Sequence, residues 1–267
     1  MTGPQEWEQA APEAAAAGIE VTPERPAAAA ATGGRDPAIG SAAWWKERYE
    51  TRARQRPRPG GLALGAIMDV ALAIADSDGL DALTMRAVAD RMNVRHTSLY
   101  RHVASRDELF VELVDHMLGE VRLPGPGPDW RARTEAGARE YRRVLSAHHA
   151  LVPLMTRGQL LGPNALRARE HGLRLLTDAG WPPGQAVRIY LTITHFVVGA
   201  VLLDSGGAAR TAEQRSAMAG LFASLPAGRY PLVTEHSALL GGPDGDEEFD
   251  FGLRCLLDGI ARLKGDD

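Results

Sequence analysis

The chain has 267 residues, 45% hydrophobic and 24% charged, with a formal net charge of −4, which fits a globular protein of one large or two modest domains. A single cysteine, Cys255, excludes an internal disulfide framework and any clustered-cysteine zinc site. No basic-then-apolar leader opens the sequence, and the longest apolar stretch, Ile189 to Leu203, falls short of the ~20 residues of a membrane helix. A buried helix there, a cytoplasmic location and no membrane partner are the expectations.

Residues 1–40 are Ala-rich, broken by Pro and Gly, and too poor in bulky apolar groups to offset ordering entropy, so a disordered extension is expected. Residues 41–61 differ. Trp44, Trp45 and Tyr49 suit a short helix, and Arg52, Arg54, Arg56 and Arg58 follow as a flexible basic arm. The tryptophans suit docking of this segment on the body or on a neighbouring chain.

From Leu64 the signal turns helical, with Ile67, Val70, Ala71 and Ile74 on one face. Asp78-Gly79 stops that helix, Thr84 caps a second, and Asn93 ends it. A third segment spans about Arg95 to His102, with Leu99 and Val103 facing inward. Ser105-Arg-Asp-Glu108 is a capping box that opens a longer helix bearing Leu109, Leu113, Met117 and Val121. Pro and Gly between Leu123 and Asp129 break the chain and set a boundary between residues 62–122 and residues 123–267. Helices follow near 129–149, 150–157, 163–179, 183–204, 211–223 and 246–264. The fold class is therefore all-α, and Cys255 is expected as a small buried residue in the last helix.

Overall acidity hides a local reversal. Arg91 to Arg106 holds four Arg, two His and no carboxylate, and fields decay within ~8–10 Å at ordinary salt. A helix-turn-helix presents the N-terminal side chains of its second helix to the major groove. Here that helix offers Arg95, His96, Thr97, Ser98, Tyr100, Arg101 and His102 as donors to phosphates or base edges. Arg54, Arg56 and Arg58 are placed as a minor-groove arm would be.

The run Gly79-Leu-Asp-Ala-Leu-Thr-Met-Arg-Ala-Val-Ala-Asp-Arg-Met-Asn-Val, then Ser98-Leu-Tyr-Arg-His-Val and Asp107-Glu-Leu, resembles the DNA-binding signature of the tetracycline-repressor (TetR) family of bacterial regulators. The resemblance implies a homodimer on palindromic double-stranded operator DNA, with base or phosphate roles at Arg86, His96, Thr97, Ser98, Tyr100, Arg101, His102 and Arg106. Asp129-Trp130, Asp178-Ala-Gly-Trp181, His195 to Asp204 and Phe251-Gly-Leu253 are similar to the ligand domain of the tetracycline-binding members. In those members a His and a Glu hold a magnesium–drug complex. The matching positions are Met155 and Leu203, and another ligand-binding His becomes Arg122.

Thioether and alkyl groups do not bind hard Mg²⁺. The expected effector is therefore a metal-free, larger apolar or aromatic molecule, with an anionic group near Arg122. Arg122, Tyr141, Met155, His171, Tyr190 and Leu203 are the pocket candidates, no cofactor is expected, and dimerisation is expected through helices near 183–204 and 246–264. A ligand-released repressor is the expected function. The alternatives are a ligand-independent regulator or activator of the same fold and a small helical enzyme, although no Gly-x-Ser-x-Gly, phosphate loop or His-Glu-x-x-His is present.

Overall fold

The computed structural model describes residues 37–54, 63–127, 129–156, 158–205, 211–242 and 245–264. Disorder of the chain before residue 37, and a groove-binding role for Arg56 and Arg58, lie outside the described residues. All regular structure among the described residues is helical.

Helix α1 spans Ala42–Arg54, its start capped by Ser41, whose Oγ accepts from the Trp44 N–H at 3.2 Å. The expected arm is corrected here: Arg52 and Arg54 continue the helix instead of leaving it. The reason is a body to pack on. Trp45 is 2% exposed, and Arg48 and Arg52 meet carboxylates of a later helix. Of the two docking options, the tryptophan takes the body of its own chain.

Helices α2 (Leu64–Asp78), α3 (Met85–Arg91), α4 (His96–Leu99) and α5 (Arg106–Leu118) follow. Ile67, Ala71, Ile74, Val88, Leu99, Val103, Leu109, Leu113 and Met117 are buried together, so the apolar periodicity in the sequence is the core. Thr84 Oγ1 accepts from the Ala87 N–H at 3.0 Å. Asn93 turns the chain at φ +54°, a conformation its short amide tolerates. The segment after it is shorter than expected, because only four residues are helical before the N–H groups of His102 and Val103 both bond the Leu99 carbonyl.

Beyond the Pro/Gly break lie α6 (Trp130–Ala147), a 3₁₀ segment (His149–Thr156), α7 (Pro163–Asp178), α8 (Pro183–Ser205), α9 (Ala212–Ala223), α10 (Pro231–Glu235), α11 (Ser237–Leu240) and α12 (Gly245–Leu263). Helices α10 and α11 were not legible, being too short to show a period. α6, α7 and α8 pack on one another, and α5 packs on α7. Phe249, Leu253, Leu257 and Ile260 seat α12, each worth about 1.5–3 kcal/mol when buried. Arg131–Asp258 and Arg142–Asp246, both at 2.5 Å, and Arg139–Asp250 tie it to α6, at roughly 0–1 kcal/mol per exposed pair.

Two expectations of burial fail. Helix α8 buries Ala186, Ile189, Ile193, Val197 and Val201 on one face, yet Val187 and Leu191 point outward. Pro183–Leu203 is long and apolar enough to cross a membrane, and only 28% of its most apolar window is buried. Cys255 on α12 is exposed, since the stripe that seats this helix runs through Leu253 and Leu257 and turns Cys255 away.

Candidate nucleic-acid interface and ligand cavity

Packing of α3 against α2 and α4 leaves the polar side of α4 on the surface. Arg95, His96, Thr97, Tyr100 and Arg101 are exposed, with Ser98 and His102 half-buried. The His96 and Tyr100 rings meet edge to face at 4.9 Å, which stiffens the two aromatic groups. Burial, then Arg101 and Arg48, lower the His102 pKa, so its ring is a neutral hydrogen-bonding group at neutral pH. Arg86 is exposed at 86% of its side chain, loosely facing Asp90 at 3.8 Å, and remains available to a phosphate.

Arg106 is placed otherwise. It donates to the carbonyls of Leu83 at 3.0 Å and Leu80 at 2.7 Å, with its guanidinium over the Phe110 ring. It ties α5 to the turn before α3, which makes it a brace of the fold before it is a phosphate contact.

Helix α5 links this surface to the second half of the molecule. At its start Ser105 accepts from the Glu108 N–H at 3.1 Å, and Glu108 accepts from Ala104 at 2.7 Å, a capping box displaced by one residue. At its end Leu118, with Val121 just beyond, forms part of the wall of a cavity of about 580 Å³ between α5, α6, α7 and α8. A volume of this size suits a drug-sized molecule.

Four of the six expected pocket residues line this cavity: Tyr141, Met155, His171 and Tyr190. Two do not. Leu203 is 80% exposed because the inward face of α8 runs through Val201 and Leu202. Arg122 is exposed, and its backbone N–H donates to Glu140 at 3.1 Å. Arg133 and Arg169 supply the positive charge instead. Arg133 donates to the carbonyls of Gly125 at 2.8 Å and Gly127 at 3.2 Å, and Arg169 to that of Leu160 at 3.3 Å. Both keep further guanidinium donors. The signal for Arg133 was present, since Arg133, Gly137 and Tyr141 recur at four-residue spacing on one face of α6.

Among the described residues one buried polar side-chain atom of the wall, on His171, lacks a partner. Burial, then Arg133, hold the His171 pKa below its ordinary value, against a hydrogen bond to the Pro124 carbonyl. Its Nε2 is buried with no hydrogen-bond partner among the described residues. Burial also raises the Tyr141 pKa, so that hydroxyl stays protonated. Gly172 lies against the Tyr190 ring, and a Cβ there would come 2.7 Å from ring carbon Cδ2. Among the described residues no group of three or more His, Cys, Asp or Glu could hold a metal.

Residues 67–113 match the profile of the bacterial regulatory proteins of the tetR family, and residues 123–263 that of the tetracyclin repressor-like C-terminal domain. The chain belongs to the TetR family. An HTH-type transcriptional regulator of Saccharopolyspora erythraea is 34% identical, aligned over 84% of this chain and 93% of that protein. The HTH-type transcriptional repressor DrrR1 of Streptomyces coeruleorubidus is also 34% identical, over 79% and 82% respectively. The TetR-family protein ActR of Streptomyces coelicolor, solved in complex with actinorhodin, superposes with a TM-score of 0.70 at 31% identity, covering 77% of this chain and 100% of that one. This TetR-family chain is accordingly a DNA-binding transcriptional regulator and not an enzyme.

Proposed function

We propose that this TetR-family regulator is a homodimeric repressor that binds a palindromic operator in the cytoplasm and releases it when a small molecule fills the cavity. The observation that carries this reading is helix α5, which starts beside the recognition segment and ends in the cavity wall. Its 13 residues span roughly 20 Å. A ligand that fits one setting of this helix better than another shifts the dimer by that difference in affinity and by nothing else.

DNA contacts are assigned to Arg86, Arg95, His96, Thr97, Ser98, Tyr100 and Arg101, with His102 as a neutral partner. The outward apolar face of α8, with Val187 and Leu191, and Phe251 of α12 form the dimer surface. That face explains why so apolar a helix is so little buried in one chain. The effector is a large, mainly apolar or aromatic molecule bound without metal. One hydroxyl donates to His171 Nε2, and an acidic or carbonyl oxygen accepts from Arg133 or Arg169.

Genomic fragments retained by the protein, sequenced and then challenged with actinorhodin in the absence of divalent metal, test the reading. A twofold-symmetric motif and release of the DNA are the expected result. Retention of DNA with no symmetric motif, or as a monomer, would overturn it.

A further inference from the structure

A second cavity, of about 310 Å³, lies along α5 between Asp107 and Leu118. Its walls come from α1, α5, the 3₁₀ segment and the start of α7, and Trp45, Val111, Val114 and Leu154 supply much of the apolar surface. Leu118, Leu160 and Ala165 belong to both cavities, so the two are separated by one layer of side chains.

The lid of this cavity is pinned. Gln159 N–H donates to the Gly40 carbonyl at 3.2 Å, and Gly40, at φ +79°, brings its backbone against Val111 and Gly158. Tyr49 donates from its hydroxyl to the Leu161 carbonyl at 2.6 Å. The stretch from Gly40 through α1 thus spans this space without filling it.

Two polar groups on the wall have unused capacity. Trp45 is 2% exposed, and its indole N–H has no hydrogen-bond acceptor among the described residues. Leaving a buried donor unmade is costly, so such orphans in native proteins call for a partner. Asp115, 6% exposed, accepts from the Ala165 N–H at 2.9 Å and from the Asn164 N–H and amide at 3.2 Å, and a carboxylate has about four acceptor sites. Burial raises its pKa in spite of these bonds. Asp107 lines the same space, so its polarity is the reverse of the arginine-lined cavity beyond Leu118.

We propose that this cavity is a second ligand site, taking a compact, neutral, mostly apolar molecule that accepts a hydrogen bond from Trp45 and donates one to Asp115. The acidic wall rejects anions of the same shape. Because both sites share a wall, ligands in the two are coupled, and each alters the other's affinity by the same factor.

Binding of para-fluorobenzamide and its anionic counterpart para-fluorobenzoate to the full chain, followed by fluorine NMR, tests this. The amide is expected to bind saturably. Trp45→Phe keeps an aromatic ring but removes the donor, and weakens binding about fivefold. Val111→Phe fills the cavity and abolishes binding, whereas Ala168→Phe, which fills only the larger cavity, keeps saturable binding. No saturation below about 10 mM amide, equal affinity in wild type and both α1–α5 variants, or loss in Ala168→Phe alone overturns the proposal. Para-fluorobenzoate competing for the Val111-sensitive site with equal strength also overturns it.

Discussion

Arg48 donates from Nη2 to the carbonyl of His102 at 2.7 Å, so a helix lying before the DNA-binding unit holds the chain that leaves its recognition segment. The same guanidinium pairs with Glu108 and, at 2.8 Å, with Glu112, which Arg52 meets at 2.5 Å. Both carboxylates are 4% exposed as residues, and two cations of α1 are what make their burial tolerable.

Arg48→Ala therefore strands buried charge on α5. The expected loss is about 3 kcal/mol of unfolding free energy, read from urea denaturation, together with weaker DNA retention. Adding Glu108→Gln to Arg48→Ala should restore part of the stability, because a neutral amide is cheaper to leave unpaired. No change in the urea midpoint of Arg48→Ala would remove the clasp from the account.

Arg101 and Arg106 should separate cleanly. Arg101→Ala is expected to weaken DNA binding by about 1–3 kcal/mol per half-site, with thermal unfolding unchanged. Arg106→Ala removes two charge-assisted bonds to the carbonyls of Leu80 and Leu83 and should destabilise the fold by about 1.5–3 kcal/mol. Electrophoretic retardation and differential scanning fluorimetry on the same samples distinguish the two roles.

Acidification acts through His171. Its pKa lies below 6.5 in the folded chain, so protonation favours the unfolded state. The stability it contributes is held above pH 6.5 and given up as the pH falls below it. An effector that donates a hydrogen bond to Nε2 needs the neutral ring, so its affinity should also drop between about pH 7.5 and about pH 5.5. His171→Asn should flatten the affinity profile and lessen the slope of the melting profile, to which the depressed His102 also contributes, as measured by calorimetric titration and melting across that range.

A carboxylate on the outward face of α8 or α12 should keep two chains apart. Val187→Asp or Phe251→Asp is expected to give a species of 28.6 kDa in light scattering, with helical content retained. Cys255, exposed in the single chain, should alkylate faster in those variants than in the wild type. Equal rates would place it outside the dimer surface.

Where sequence reasoning succeeded, a repeating physical constraint lay behind it. Ile67, Ala71 and Ile74, or Phe249, Leu253 and Leu257, announce their helices because each turn must bury something. Thr84, Asn93 and Ser105 announce the ends because the first and last turns lack partners. The pocket was half legible. Tyr141 and His171 stand out by type, but the choice between Leu203 and Leu202 depends on a rotation of about 100° per residue, which alignment to a relative does not fix. Arg122 was expected because it stands where the tetracycline-binding members have a ligand-binding His, whereas Arg133 and Arg169 are held in the cavity wall by carbonyls brought near only by the fold. The docking of α1 is long-range, since Arg48 and Glu112 are 64 residues apart, and no local pattern pairs them.

The absent methyl at Gly172 carries a consequence for how such a receptor changes its taste. Tyr190 ring carbons stand 2.7 and 2.8 Å from where that carbon would be, so a single Gly-to-Ala exchange would displace a phenol ring that lines the cavity. A lineage could shrink the accepted chemistry, or widen it again, by one codon, without touching the residues that hold DNA.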